Sequence, residues 1–158
     1  MNRYVFDNCS LLIIFKHYYR DRFRQFWEKF DAAVADGQIL LVRELYNEIL
    51  DRARCTQLVE WIKENRQLFL QPSAEEMAFL QQIFAVRHFH SLVRKQEILE
   101  GRPVADPFVI AKAKFENAIV VTQEEYKPNA AKIPNVCEHF KIKWTDLEGF
   151  MKAEGWEF

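Results

Sequence analysis

Tyr4-Val5-Phe6-Asp7-Asn8-Cys9-Ser10-Leu11-Leu12-Ile13-Ile14-Phe15 is the stretch from which the architecture of the whole chain is read. Residues 4 to 6 are aromatic and β-branched, as in a short buried strand, and residues 7 to 10 supply cap-type side chains ahead of an apolar helical run. A strand that stops at an acid and turns straight into a helix is the unit of an α/β sheet. Ligands bind outside the carboxyl ends of the strands in such sheets, so Asp7 stands where a site would form.

Working outward, the continuous apolar run Ile39-Leu40-Leu41-Val42 lies between Gly37 and charged Arg43-Glu44, which suits a strand covered on both faces. Before it, Phe23, Phe26, Trp27, Phe30 and Val34 recur at helical spacing and predict a helix over 21–34. After it, Leu45, Ile49 and Leu50 form one helical stripe, and Leu58, Trp61 and Ile62 form the next. Ser73 to Glu76 reads as a capping box opening a helix with Met77, Leu80 and Phe84 on one face. The middle of the chain is thus expected to be helical. Asp106-Pro107 predicts a helix start, with the acid as N-cap and proline at the first helical position, running to about 115. Further strands are predicted over 118–122 and 142–144, and a last helix over 146–153. Strands alternating with helices predict an α/β fold, a central mainly parallel sheet sandwiched between helix layers, as one domain spanning 1–158.

With 158 residues, 49% of them hydrophobic and 28% charged, such a domain buries a core without disulfide or metal support. Cys9, Cys55 and Cys137 are widely spaced and form no CxxC or Cys/His cluster, so they imply neither a disulfide frame nor a zinc site and read as reduced thiols. The apolar run from Leu11 to Phe15 is too short to span a bilayer, and no targeting signal is visible; a soluble, cytoplasmic protein with no membrane partner is expected. A formal net charge of -1 gives no global attraction to a polyanion, so one would be drawn by local patches or a bound metal.

Acids recur beside these strands and helix starts: Asp7, Glu44 and Glu48, Asp106, and the pair Glu124-Glu125. Converging carboxylates suit a hard divalent cation, which takes oxygen ligands and can activate water against a phosphodiester. Each acid also has a structural reading. Asp7 and Asp106 are ordinary helix caps, and the glutamates are ordinary solvated charges. Their joint placement favours chemistry. Elsewhere, His88 and His90 would point apart on a helix, and no histidine stands where it would activate Ser10, which argues against a Ser/His hydrolase. The run Arg20 to Arg24 interleaves basic and aromatic residues, as RNA binders and amphipathic helices both do. Lys112 and Lys114 are candidates for phosphate contact or for simple solvation.

Taken together, these motifs resemble the PIN-domain ribonucleases, including the VapC-like toxins of prokaryotic toxin–antitoxin pairs. Residues 5–12 look like the family's opening strand, first acid and polar turn; residues 43–49 look like the element carrying its glutamate. Residues 105–113 resemble the third motif, and Ile119-Val120-Val121-Thr122-Gln123-Glu124 the strand-Thr-x-acid motif. Residues 132–140 and 155–158 look like a little-characterised prokaryotic PIN-like subgroup. The resemblance implies that Asp7, Glu48, Asp106 and Glu124 hold Mg²⁺ or Mn²⁺ and activate water to cut RNA, with Glu44 and Glu125 as alternates and Asn8, Ser10 and Thr122 in support. It also implies a cognate antitoxin and a homodimer. Cys9, a soft ligand beside the first acid, departs from the pattern and keeps a catalytically silent PIN-like binding module as the alternative. A flap-type DNA nuclease ranks behind both, because the chain is short of the extra DNA-binding helices of that class.

Overall fold

The computed structural model describes residues 1–93 and 101–158. Five strands form one sheet: β1 (Tyr4–Phe6), β2 (Ile39–Val42), β3 (Phe69–Leu70), β4 (Ile119–Val121) and β5 (Trp144–Thr145). Around it lie α1 (Asn8–His17), α2 (Arg24–Ala35), α3 (Arg43–Arg52), α4 (Thr56–Glu64), α5 (Ala74–Ala85), α6 (Asp106–Phe115), α7 (Ile133–His139) and α8 (Leu147–Glu154).

The strand order is β3-β2-β1-β4-β5 and every neighbouring pair is parallel, so the sheet expected to be mainly parallel is wholly so among the described residues. Tyr4 pairs with Ile39 on one side and Ile119 on the other, which makes β1 the central strand. Winding proceeds outward from β1 to β3, then resumes on the opposite side with β4. The reversal falls between β1 and β4, and that is where ligand crevices open in parallel sheets.

Every residue of β1 and β2 is buried, so helices must cover both sheet faces. Tyr4 and Phe6 share one face because side chains alternate along a strand. Phe6 meets Phe30 of α2 and Phe150 of α8 edge-on, at centroid distances of 6.2 and 5.2 Å, contacts worth about 0.5–1.5 kcal/mol each beyond burial. The other face is left to α6, which packs across β1, β2 and β4. Because α6 runs back to the start of β4, its first residue, Asp106, lies at the carboxyl edge of the sheet.

Several local expectations are corrected. The helix expected over 21–34 starts at Arg24, and Phe23 is exposed because its ring rests on Tyr18 in the preceding turn instead of entering the core. Leu50 and Met77, read as inner-face residues, are exposed, so the buried stripes of α3 and α5 are narrower than their apolar patterns. Strand β3 interrupts the middle of the chain that was expected to be helical. The last strand sits at Trp144–Thr145, because the Ile142 amide donates to the Cys137 carbonyl and closes α7 instead of joining the sheet. Asp106 is not the N-cap of its helix; Ala105 holds that position and Asp106 is the first helical residue. The capping box of α5 is present, with Glu76 N–H donating to Ser73 Oγ and Ser73 N–H to Glu76 Oε2.

Candidate active site

Asp7 follows β1 and caps α1: its Oδ1 accepts from the Ser10 amide at 2.8 Å. Its Oδ2 accepts a 2.6 Å hydrogen bond from Oγ1 of Thr122, the residue after β4. Ser10 Oγ in turn donates to the Val121 carbonyl, and the Asp7 amide donates to the same carbonyl. The acid is therefore clamped from both strands at the winding reversal. Asp7 is almost wholly buried, and burial pushes its carboxyl above the ordinary range, the bonds from Thr122 and Ser10 opposing the shift and Glu48 adding to it.

Glu48 arrives from α3, one and a half turns after β2. Asn8 Nδ2 donates to its Oε1 at 3.0 Å and the Ala105 amide to its Oε2 at 2.7 Å. One carboxylate thus ties the start of α1 to the start of α6, where Asp106 emerges. Asp7, Glu48, Asp106 and Glu124 all line one cleft of about 610 Å³ at the carboxyl edge of the sheet. Burial, followed by the charge of Asp7, raises the Glu124 carboxyl, which Lys132 opposes. Cys9 lies in the same cleft; burial and then the fields of Asp7, Asp106, Glu124 and Glu48 push its thiol up to about 11.

The alternates sit apart from this cleft. Glu125 is exposed, and Glu44 is buried against Arg43 at 2.6 Å; neither lines the cleft. Ser10 and Thr122 are fully buried behind Asp7, so they position it without facing the opening. Lys112, a candidate for phosphate contact, is instead buried in a 2.8 Å ion pair with Glu76, and Lys114 lies over the Phe79 ring. Arg20 is held by Asp31 and stacks 3.9 Å from the Trp27 ring centroid. The cations that do line the cleft, Arg52 and Lys132, were not singled out in the sequence. Neither belongs to a periodic or motif signal that would mark it.

The model of a domain of unknown function, DUF4411, matches residues 4–158. The chain belongs to the DUF4411 family. Its matched span contains every acid of the cleft, and no curated protein matches the chain. Among solved structures, this DUF4411 member is similar to a crystal structure of VapBC2 from Rickettsia felis bound to a DNA fragment from its promoter, with 10% identity, a TM-score of 0.47, and coverage of 90% of this chain and 97% of that one. No helix among the described residues is long and apolar enough to cross a membrane.

The cleft of this DUF4411 chain carries oxygen donors of the kind a hard cation takes. Its acids are oxygen donors, and Asn8 Oδ1 is buried without a hydrogen-bond partner among the described residues. Donation from Asn8 Nδ2 to Glu48 fixes which end of that amide is the acceptor. No three Asp, Glu, His or Cys side chains among the described residues form a ready metal cage.

Proposed function

We propose that this DUF4411 chain is a PIN-like, Mg²⁺- or Mn²⁺-dependent endoribonuclease, the toxin of a toxin–antitoxin pair, acting on single-stranded RNA in the cytoplasm. The observation that carries the reading is the convergence of Asp7, Glu48, Asp106 and Glu124, from four separate segments, on one cleft beside the winding reversal of a parallel sheet. The cognate antitoxin and homodimer implied by the PIN resemblance belong to the same proposal.

Asp7 and Glu48 would hold the cation, with Asp106 and Glu124 completing its surroundings. When bound, such an ion lowers the pKa of a coordinated water and offsets charge on the phosphoryl oxygens. Thr122 and Ser10 fix both Asp7 oxygens, so the carboxylate meets its ligand without reorganising. Glu48 keeps the Asp106 segment in register through the Ala105 amide. Arg52 and Lys132 offset the repulsion that four acids would otherwise exert on a phosphate backbone. Incubation of end-labelled single-stranded RNA with the protein and Mn²⁺ tests the reading: cleavage that stops on chelation and in Asp7→Asn is expected. Cleavage unaffected by chelation contradicts it.

Cys9 in the cleft and the lack of a ready three-ligand cage among the described residues favour a second reading, a catalytically silent binding module. RNA bound but never cut at any Mg²⁺ or Mn²⁺ concentration is the outcome that reading requires.

A further inference from the structure

A second recess, of about 430 Å³, adjoins the acidic cleft, and Ala130 lines both. His88, Tyr126, Asn135 and His139 line it, and none of them has a role in the chemistry above. We infer that this recess seats an unpaired nucleobase of the RNA, one flanking the phosphate held in the acidic cleft, with Tyr126 as the stacking surface. The inference rests on the ribonuclease reading and names how that site would select its strand.

Tyr126 is half-exposed, with no ring partner among the described residues. An apolar ring left open beside a polyanion-binding cleft is the usual platform for single-stranded nucleic acid, because every unpaired base offers a π-face. The loop beneath it is fixed. The Lys127 carbonyl accepts both the Ala130 amide and Asn135 Nδ2, and Asn129 takes the left-handed turn at φ 63°. His88 Nε2 lies 3.1 Å from the Ala130 carbonyl, which can only accept, so this nitrogen carries a proton and pins the wall shared by the two recesses.

Asn135 forms part of the recess wall. Its Nδ2 is spent on Lys127, which leaves Oδ1 as a buried acceptor with no partner among the described residues. Lys132, in the next part of the chain, lines the acidic cleft beside the shared wall and supplies a cation for the connecting phosphate. Phosphate contact and base stacking thus fall on one continuous path.

The test uses fluorescein-labelled oligoribonucleotides, an unstructured octamer and the same octamer with one abasic position, titrated against the full chain in the Asp7→Asn background without divalent cation. Tyr126→Ala is expected to weaken binding roughly 5- to 150-fold, the range for losing one stacked base. Tyr126→Phe is expected to bind as the parent does, because stacking needs the ring and not the hydroxyl. One abasic position should erase the difference between Tyr126 and Ala. Affinity unchanged in Tyr126→Ala, with wild type still cutting RNA, overturns the base seat and leaves the nuclease reading intact. Wild type that neither binds nor cuts RNA overturns both.

Discussion

Thr122 Oγ1 donates a 2.6 Å hydrogen bond to Asp7 Oδ2, joining the residues that follow β4 and β1 at the one place where the sheet reverses its winding. The same hydroxyl oxygen accepts from the Glu124 amide at 3.1 Å. A single side chain therefore orients one acid and anchors the loop that presents another.

Removing that hydroxyl should be felt at both acids. Thr122→Val keeps the shape but leaves a buried carboxylate oxygen short of a donor, a loss of about 1–3 kcal/mol at neutral pH. The lost bond favoured the charged form, so the Asp7 carboxyl rises further and cation affinity falls. Thr122→Ser should retain both. Urea unfolding of the two variants, with Mn²⁺ titration of each, checks the claim.

The raised carboxyls set a sign for stability against pH. Asp7 and Glu124 hold protons in the folded chain at pH values where the unfolded chain has released them. Their contribution is fully present below the unfolded carboxylate values near ~4 and is lost as pH rises through the folded ones. In metal-free protein, Asp7→Asn, which keeps a good N-cap, should be more stable than wild type, with a gap that widens from acid to neutral pH and reaches a few degrees in Tm. Thermal melts across that range read it; a gap that narrows with rising pH contradicts the burial of Asp7 as a charged group.

Much of this was legible in the chain. Strands β1, β2 and β4 announce themselves because full burial on both faces demands unbroken apolar runs, and the acid after β1 marks the strand-to-helix turn. Strand β3, two residues long and at a sheet edge, is too short to leave a pattern, and β5, equally short, is legible only to within two residues of its place. Sequence spacing left Glu44 and Glu48 equivalent, four apart on one helix face. Only the contacts of Glu48 with Asn8 and Ala105, which belong to distant segments, separate them. Lys112 lies six residues after Asp106; at about 100° per residue that turns it roughly 120° away, toward Glu76 and away from the cleft.

The Lys112–Glu76 pair is accordingly a structural element. Glu76→Ala leaves a buried ammonium uncompensated and removes half of the capping box, and a loss of about 3–5 kcal/mol is expected in chemical unfolding. Glu76→Gln, which keeps a polar partner for Lys112, should lose less, and RNA affinity per folded molecule should be unchanged. Weaker RNA binding by folded Glu76→Gln would return Lys112 to the substrate.

Arg52 and Lys132 should carry the salt dependence of RNA binding. Replacing either with alanine is expected to lower the slope of log affinity against log salt by about 0.7 for each lost phosphate contact. Binding isotherms at several salt concentrations measure this, with Arg22→Ala, an exposed cation outside the cleft, as the variant whose slope stays that of wild type.

Glu48 is predicted to act on Asp106 through the backbone. In Glu48→Ala the Ala105 amide loses its acceptor, so its hydrogen exchange should accelerate, and RNA cleavage should fall roughly 10- to 100-fold or more, as the third acid loses its footing and the cation a ligand. Unchanged exchange at Ala105 would break the link between the two acids.

The central claim is a divalent cation held by Asp7 and its neighbours for RNA cleavage, and calorimetric titration of Mn²⁺ into wild type and Asp7→Asn, followed by incubation of both with single-stranded RNA, meets it most directly. Binding and cleavage in wild type, both lost in a folded Asp7→Asn, is the result predicted. Wild type that takes up no Mn²⁺, or Asp7→Asn that cuts RNA as fast as wild type, contradicts it.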